Sequence, residues 1–462
     1  MTKKKSHHKN KKRLLTFLVI FLVSCTIIAI IARMSYKKIV SVVQVDSIYK
    51  NIFINEIDVG GLDKESALKK IDQLLQKPIS ENIIVFTDKD NEYKFSFKDF
   101  NAAYDIKDAV QKAYDYARYG PLLKRYEQIV KLKDNPVKIT AAYGFNEEFV
   151  KSKLGELESK VYVKPVNASI SRVNNKFVVT AGENGRKLDL DATYPALKKL
   201  LDEKSAGTVE LIFESIKPLY NEDAFDNVKD VLGSFTTKFN ANNPDRNTNI
   251  INAAQKINNC VVYPSEIFST NDALKPFTFK NGYKNAPVIV GGEIVDDLGG
   301  GICQVSTALY NAVLFSELTV TQRQNHSLKV GYVDYGYDAT LAGDYIDFKF
   351  KNSTKSPILI ESIINSNSLT IKIYGAESRS SSRKIKFENA LVETIQPPAE
   401  TIIYTDELKE GEKQIVKQSK KGYRYKLYKI VYENGKQVDK ILVNSSYYKS
   451  VRGITKVGTK KE

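Results

Sequence analysis

Cys303, His326 and the aspartates Asp338 and Asp347 are the side chains of this sequence whose types and order fit acyl transfer. Gly299, Gly300 and Gly301 run into Ile302 and Cys303, and from there Val305, Ala308, Leu309, Ala312 and Val313 repeat at helical spacing. A buried helix is therefore expected to open at or near the cysteine. A thiol at a helix N-terminus meets the positive end of the macrodipole, which favours thiolate. His7 and His8 stand in a basic tail, which leaves His326 as the one imidazole of the remainder. A thiol nucleophile needs a base to take its proton, and a carboxylate behind the ring fixes the tautomer and stabilises the imidazolium. On this reading Cys303 is the nucleophile, His326 the base, and Asp338 or Asp347 the orienting carboxylate. The backbone N–H groups of Cys303 and Gln304, in the first turn of the helix, would form an oxyanion hole. The three glycines would let a substrate backbone approach closely.

The same residues have plainer uses. Three glycines turn a chain into a helix, a cysteine packs as a small apolar group, and an aspartate caps a turn. Cys260 lies in the same expected domain, so the residues alone leave open a nucleophile, a buried inert thiol and a Cys260–Cys303 disulfide. With a single imidazole beyond the tail and no CxxC pair, neither a metal site nor a cofactor is expected.

The elements that must position these groups are legible as patterns. Four strand-like runs follow the cysteine helix, at 328–333, 345–350, 357–362 and 369–374. Alternation is clearest in Ile346, Phe348, Phe350 and in Leu369, Ile371, Ile373. His326 thus stands just before the first expected strand, and the helix is expected to pack on an antiparallel sheet.

Toward the N-terminus, seven Lys and Arg residues precede 14–32, nineteen residues without a charge. About twenty apolar residues span a bilayer, and flanking Lys/Arg keep their side in the cytoplasm. The expectation is a basic cytoplasmic tail at 1–13, a transmembrane helix at 14–32 and a juxtamembrane linker at 33–51. The formal net charge is +16, and removal of the seven tail cations leaves about +9 outside the membrane. Such a surface meets anionic lipid, wall polymers or peptide carboxylates, so no nucleic acid partner is expected. Two cysteines beyond the membrane do not make a disulfide framework.

Two segments repeat one plan, a glycine turn, a helix containing Ala-Leu-Lys-Lys and a strand. The first runs through Gly60, Gly61, Ala67 and 83–86, the second through Gly182, Gly185, Ala196 and 209–213. This predicts a duplicated α+β region over 52–218. Ser378, Ser380, Ser381 and Ser382, mixed with Arg379 and Arg383, predict a linker at 376–384. Beyond it, 385–460 alternates without a helix and reads as an extended all-β module. The fold class is multidomain α+β.

The stretch 234–375 resembles the VanW family. It carries 249–258 (NIINAAQKIN), 264–269 (PSEIFS), 282–286 (GYKNA), 299–312 (GGGICQVSTALYNA), His326-Ser327, 338–340 (DAT) and 347–352 (DFKFKN). Ser265 stands where that family usually has glycine. The 52–218 region resembles the peptidoglycan-binding domain of YoaR-like wall proteins. The 385–460 module resembles the G-five domain through Gly411, Gly422, Gly435, Gly453 and Gly458. These resemblances imply a bacterial envelope protein that binds peptidoglycan or an N-acetylglucosamine-containing wall polymer. They imply a location and a material, and leave the reaction to the residues: a thiol amidase or acyl transferase, or a non-catalytic wall-binding scaffold.

Overall fold

In the computed structural model, which describes residues 4–89, 91–290 and 293–461, the uncharged N-terminal stretch lies inside one long helix, Lys4–Val43. Its segment Lys11–Val43 is long and apolar enough to cross a membrane. The chain is mixed α+β and divides into two units, Met1–Lys164 with Gly185–Ile216, and Pro165–Asn184 with Lys217–Glu462.

In the first unit the repeated plan takes physical form. The helix Lys64–Ile71 is capped by Asp63, whose side chain accepts from the Ser66 N–H, and the helix Leu190–Glu203 by Asp189, which accepts from Ala192. The strands that follow, Ile83–Asp88 and Gly207–Glu210, lie side by side in parallel with Val209 opposite Phe86. The helices face different cores. Ala67 and Ile71 pack with Ile52, Ile54 and Val110, whereas Leu197 and Leu201 pack with Phe86, Phe97 and Leu154. The expected region 52–218 is not one continuous body. Pro165–Asn184 forms a hairpin that clusters with the second unit, where Ala168, Ile170 and Phe177 pack against Leu359 and Tyr374.

The second unit has a four-stranded antiparallel sheet in the order Asp230–Lys238, Ser368–Gly375, Ile358–Asn365, Cys260–Val262. The cysteine helix, Ile302–Phe315, packs on it, burying Val305, Ala308, Leu309, Ala312 and Val313 against Ile371 and Ile373. A second helix, Pro244–Ile257, begins with Asn243 as side-chain cap and proline in its first turn. It adds Ile250, Ala253, Ala254 and Ile257 to the same core.

Two expected strands differ. Residues 328–333 form no strand: they run as turns between Ser327 and Gly336, and Val330 and Tyr332 line a cleft instead of pairing with a neighbour. The run 345–350 is a strand only at Lys349–Lys351, because Ala342 and Ile346 exchange backbone hydrogen bonds across a tight turn at Gly343.

Past Gly375 the chain is all strands. Arg383–Ile395, Gly422–Glu433 and Lys436–Tyr448 form one antiparallel sheet, and Thr401–Lys409, Ile454–Lys460 and Lys413–Lys417 form another. The serine-rich stretch before them is held rather than free. Arg379 donates to the carbonyls of Phe315 and Leu232, and Arg383 and Lys429 grip Glu317 at 2.9 and 2.8 Å. Burial would raise the Glu317 carboxyl, but the bonds from Arg383 and Lys429 take it down to about 2. Leu427 and Phe387 enter the main core from this sheet.

Candidate active site

The cysteine helix starts at Ile302, with Gly301 as its cap at φ 109°, so Cys303 sits in the first turn. The glycines serve the chain itself. A Cβ on Gly300 would lie 2.3 Å from the Ala286 carbonyl oxygen, and one on Gly301 would meet the Arg246 side chain at 2.9 Å. At these two positions the space expected for substrate backbone is filled by neighbouring chain, whereas a Cβ on Gly299 would meet nothing nearer than the Ile302 side chain at 3.7 Å.

All three cysteines are free, so Cys260 and Cys303 are not joined. The Cys303 sulfur accepts the Leu341 N–H at 3.4 Å. His326, 6% exposed, has its backbone N–H 2.6 Å and its ring Nδ1 2.7 Å from one oxygen of Asp338. With Nδ1 occupied, Nε2 is the nitrogen left for the side-chain hydrogen bond to Cys303. Burial opposes charge on both partners, yet each sustains the other. The bonds to Asp338 and Cys303 raise the imidazole to about 9. For the thiol, burial pushes upward, and the hydrogen bond and charge of His326 override it and pull the group below its usual range. The two shifts favour charge on both partners, the imidazolium and the thiolate. The imidazole is what lowers this thiol against the effect of burial.

The two expected aspartates separate here. Asp338 is the carboxylate that contacts His326. Burial would raise it, but His326, the charge of Arg323 and the Tyr448 hydroxyl hold it below the usual carboxylate range. Asp347 lies elsewhere in the unit: it accepts the Ser269 hydroxyl at 2.6 Å and the Asn271 N–H at 2.9 Å, and so fixes the start of a short helix. Its role is structural, and the same holds for Gln304. That side chain, 1% exposed, donates to Thr237 and Lys238 and accepts from Arg246 Nη2 at 2.9 Å. The Gln304 backbone N–H is already bonded to Gly301 O at 3.0 Å, which removes it from the expected oxyanion hole. The Cys303 N–H has no acceptor among the described residues and remains as a donor beside the sulfur.

Two site residues escaped the sequence reading. Arg246 lies beside the thiol: burial pulls its guanidinium below the usual range, the charges of Tyr332 and Cys303 oppose that pull, and it stands 5.9 Å from the Tyr332 ring. Its signal was present: 246, 250, 253 and 257 share one helix face, so Arg246 is a cation on an otherwise buried stripe. Tyr332 is kept protonated by burial and by the Cys303 charge, and hydrogen-bonds Thr307. Cys303, His326, Arg246 and Tyr332 line one cleft of about 460 Å³, whose other walls include Phe277, Val288 and Leu298. A thiol, an imidazole and a carboxylate in contact at one cleft are the group types that thiol-mediated acyl transfer uses.

Comparison with known proteins gives three family matches. Residues 245–374 match the family described as VanW like protein, 93–210 the family described as "Putative peptidoglycan binding domain", and 388–460 the G5 domain. The chain is 36% identical over 223 residues to the uncharacterized protein YoaR of Bacillus subtilis (strain 168), covering 48% of this chain and 73% of YoaR. It is 29% identical over 150 residues to the vancomycin B-type resistance protein VanW of Enterococcus faecalis (strain ATCC 700802 / V583), covering 31% of this chain and 50% of that protein. Among solved structures, the IgA1 protease G5 domain is 22% identical with a TM-score of 0.14, over 17% of this chain and 94% of that one. HP0197-G5 is also 22% identical, with a TM-score of 0.12, over 17% of this chain and all of that one, 100%. A peptidoglycan-binding domain and a G5 domain on one chain with a VanW domain support a protein associated with the cell wall.

Proposed function

The chain belongs to the VanW family, and from that premise we propose a membrane-anchored wall protein that transfers acyl groups of wall peptides through Cys303. The observation that carries the reading is the alignment of Asp338, His326 and Cys303 at the cleft. The Cys303 thiolate attacks the carbonyl carbon of a peptide amide, forming a C–S bond while negative charge moves to the oxygen. The free Cys303 N–H and the Arg246 charge favour that oxygen. As the C–N bond breaks, the His326 proton goes to the leaving amine. An incoming amine, or water, then attacks the thioester, His326 takes its proton, and the C–S bond breaks to restore the thiolate.

The N-terminal helix is the membrane anchor, with its basic tail in the cytoplasm and both units outside. The peptidoglycan-binding and G5 regions take wall polymer, an N-acetylglucosamine-containing polymer in the case of G5. Linkage on one chain makes each later contact intramolecular and keeps the thiol at its substrate.

The test is the pH profile of Cys303 alkylation in the full-length protein in detergent, read by mass spectrometry of the Cys303 peptide. Wild type is expected to label with a midpoint well below the free thiol value of about 8.5, and His326→Ala to return it toward that value. A slow Cys303 with an ordinary midpoint in wild type would leave a non-catalytic wall-binding scaffold.

A further inference from the structure

The Asp338 carboxylate is held from two directions, and one of them lies outside the 245–374 stretch that matches VanW. Its Oδ2 faces His326, while its Oδ1 accepts the Tyr448 hydroxyl at 2.6 Å and lies 3.3 Å from Arg323 Nη2. Tyr448 is the last residue of the strand Lys436–Tyr448 in the G5 region. Its hydroxyl also accepts the Gly336 N–H at 2.8 Å. Two residues back, Ser446 accepts from Arg323 Nη1 at 2.9 Å. Two further back, Asn444 donates to the Gly336 carbonyl and to the Tyr310 hydroxyl, each at 2.9 Å.

Residues 444, 446 and 448 share one face of a strand, and that face meets the 323–338 loop bearing His326 and Asp338. Backbone contacts close the seam: Lys449 N–H donates to Ser327 O at 2.8 Å, and Asn325 Nδ2 to Tyr447 O at 2.8 Å. Ser446 is 0% and Tyr448 2% exposed. Buried polar side chains need partners, and here the partners are the site loop and its carboxylate. The Glu317 clamp to Arg383 and Lys429 fixes the same sheet to the cysteine helix end at a second point.

We propose that Tyr448 is a positioning residue of the thiol site, so that the C-terminal strand region is a structural part of the reaction centre as well as a wall-binding arm. The proposal rests on the acyl-transfer reading above. Tyr448 fixes the rotation of the Asp338 carboxylate, which fixes the tautomer and tilt of His326 and, through them, the charge on Cys303. The other groups facing this chain of contacts are Arg323, Tyr310 and Lys329 around Asp338, and Arg246 and Tyr332 around Cys303.

The experiment is Tyr448→Phe in the full-length protein in detergent, which keeps the ring that packs on Tyr335 and removes only the hydroxyl. The Cys303 alkylation midpoint is expected to rise by about one pH unit, since the imidazolium loses its fixed partner. The melting temperature is expected to stay within about 4 °C of wild type. Tyr404→Phe, on the outer sheet and 73% exposed, is expected to leave the profile in place. A folded Tyr448→Phe protein with the wild-type profile overturns the proposal. If Tyr448→Phe does not fold, Ser446→Ala, which removes the Nη1 partner of Arg323, takes its place; a smaller rise supports the proposal and an unchanged profile overturns it. A wild-type Cys303 with an ordinary midpoint removes the acyl-transfer reading and this proposal together. A low wild-type midpoint that Tyr448→Phe does not move removes this proposal alone.

Discussion

Cys303 and Cys260 pack against the same core, and both are partly buried and free. Cys260 opens the strand Cys260–Val262, and its thiol points a weak hydrogen bond at the Lys256 carbonyl, 3.5 Å away. Burial pushes that thiol up, with no charge to oppose it. Cys303 suffers the same burial and goes the other way, because an imidazole held by Asp338 stands beside it. Burial alone therefore makes a cysteine inert, and what makes one reactive is a charge fixed by a second residue.

The change expected to disturb this contrast most is Asp338→Asn. An amide in place of the carboxylate removes the negative partner of Nδ1 and favours the wrong tautomer of His326. Acyl transfer is expected to fall by roughly three to four orders of magnitude, and Cys303 to label like Cys260. Asp347→Asn is the matched control. It weakens acceptors for Ser269 and the Asn271 N–H, at a cost of about 1–2 kcal/mol, and leaves the Cys303 profile unchanged. Equal loss of labelling in the two variants would mean that stability, not the His326 contact, governs the thiol.

Titrating the two thiols in one sample sharpens the contrast further. Cys303 is expected to label on the acid side of the free-thiol range and Cys260 on the alkaline side. The transfer rate should rise as Cys303 becomes thiolate and fall as the imidazolium loses its proton near 9. Stability follows the same protons. The His326 value in the fold exceeds 6.5, so its share is full below 6.5 and lost as pH rises through about 9. The Cys303 value in the fold is depressed, so its share is present above the unfolded thiol value and lost as pH falls through the folded one. Above 6.5, wherever Cys303 is already ionised in the fold and up to the unfolded thiol value of about 8.5, the folded pair and the unfolded chain hold the same number of protons, so melting temperature is expected to be flat there. A slope across that window would indicate that the folded pair does not hold a single shared proton there.

The contrast also marks what the amino-acid sequence can and cannot carry. The cysteine helix and the two central strands of its sheet, expected at 357–362 and 369–374, were legible because apolar periodicity is local, whereas the outer strands Asp230–Lys238 and Cys260–Val262 were not; the single imidazole paired itself with Cys303 by elimination. Choosing between Asp338 and Asp347 was not possible, since both are buried in the fold and only the path of the 323–338 loop decides which meets the ring. That path was misread as a strand from the alternation of Leu328, Val330 and Tyr332, which in the fold serves to put Val330 and Tyr332 on the cleft. The Gln304 N–H was expected in an oxyanion hole because the first turn of a helix leaves donors unpaired, but the turn at Gly301 takes that donor at 3.0 Å, and the Gln304 side chain faces Thr237. Tyr448 lies 110 residues from Asp338, and nothing local ties them.

The smallest expected effect tests whether the Cys260 region is independent of the site. Just past Cys260, Ser265 holds φ 67°, the left-handed region in which a side chain is strained. The conformation costs a serine about 1–2 kcal/mol, and glycine gives back part of the gain through the greater freedom of its unfolded chain. Ser265→Gly is therefore expected to stabilise the protein by roughly 0.5–1 kcal/mol, read as a small rise in melting temperature. The Ser265 N–H already bonds the Asn352 carbonyl at 2.8 Å, so the turn keeps its shape. The alkylation midpoint of Cys303 should not move. A shift in that midpoint would mean that strain in the Cys260 turn reaches the thiol site through the shared core, and that the two cysteines differ by degree of coupling rather than by their immediate partners.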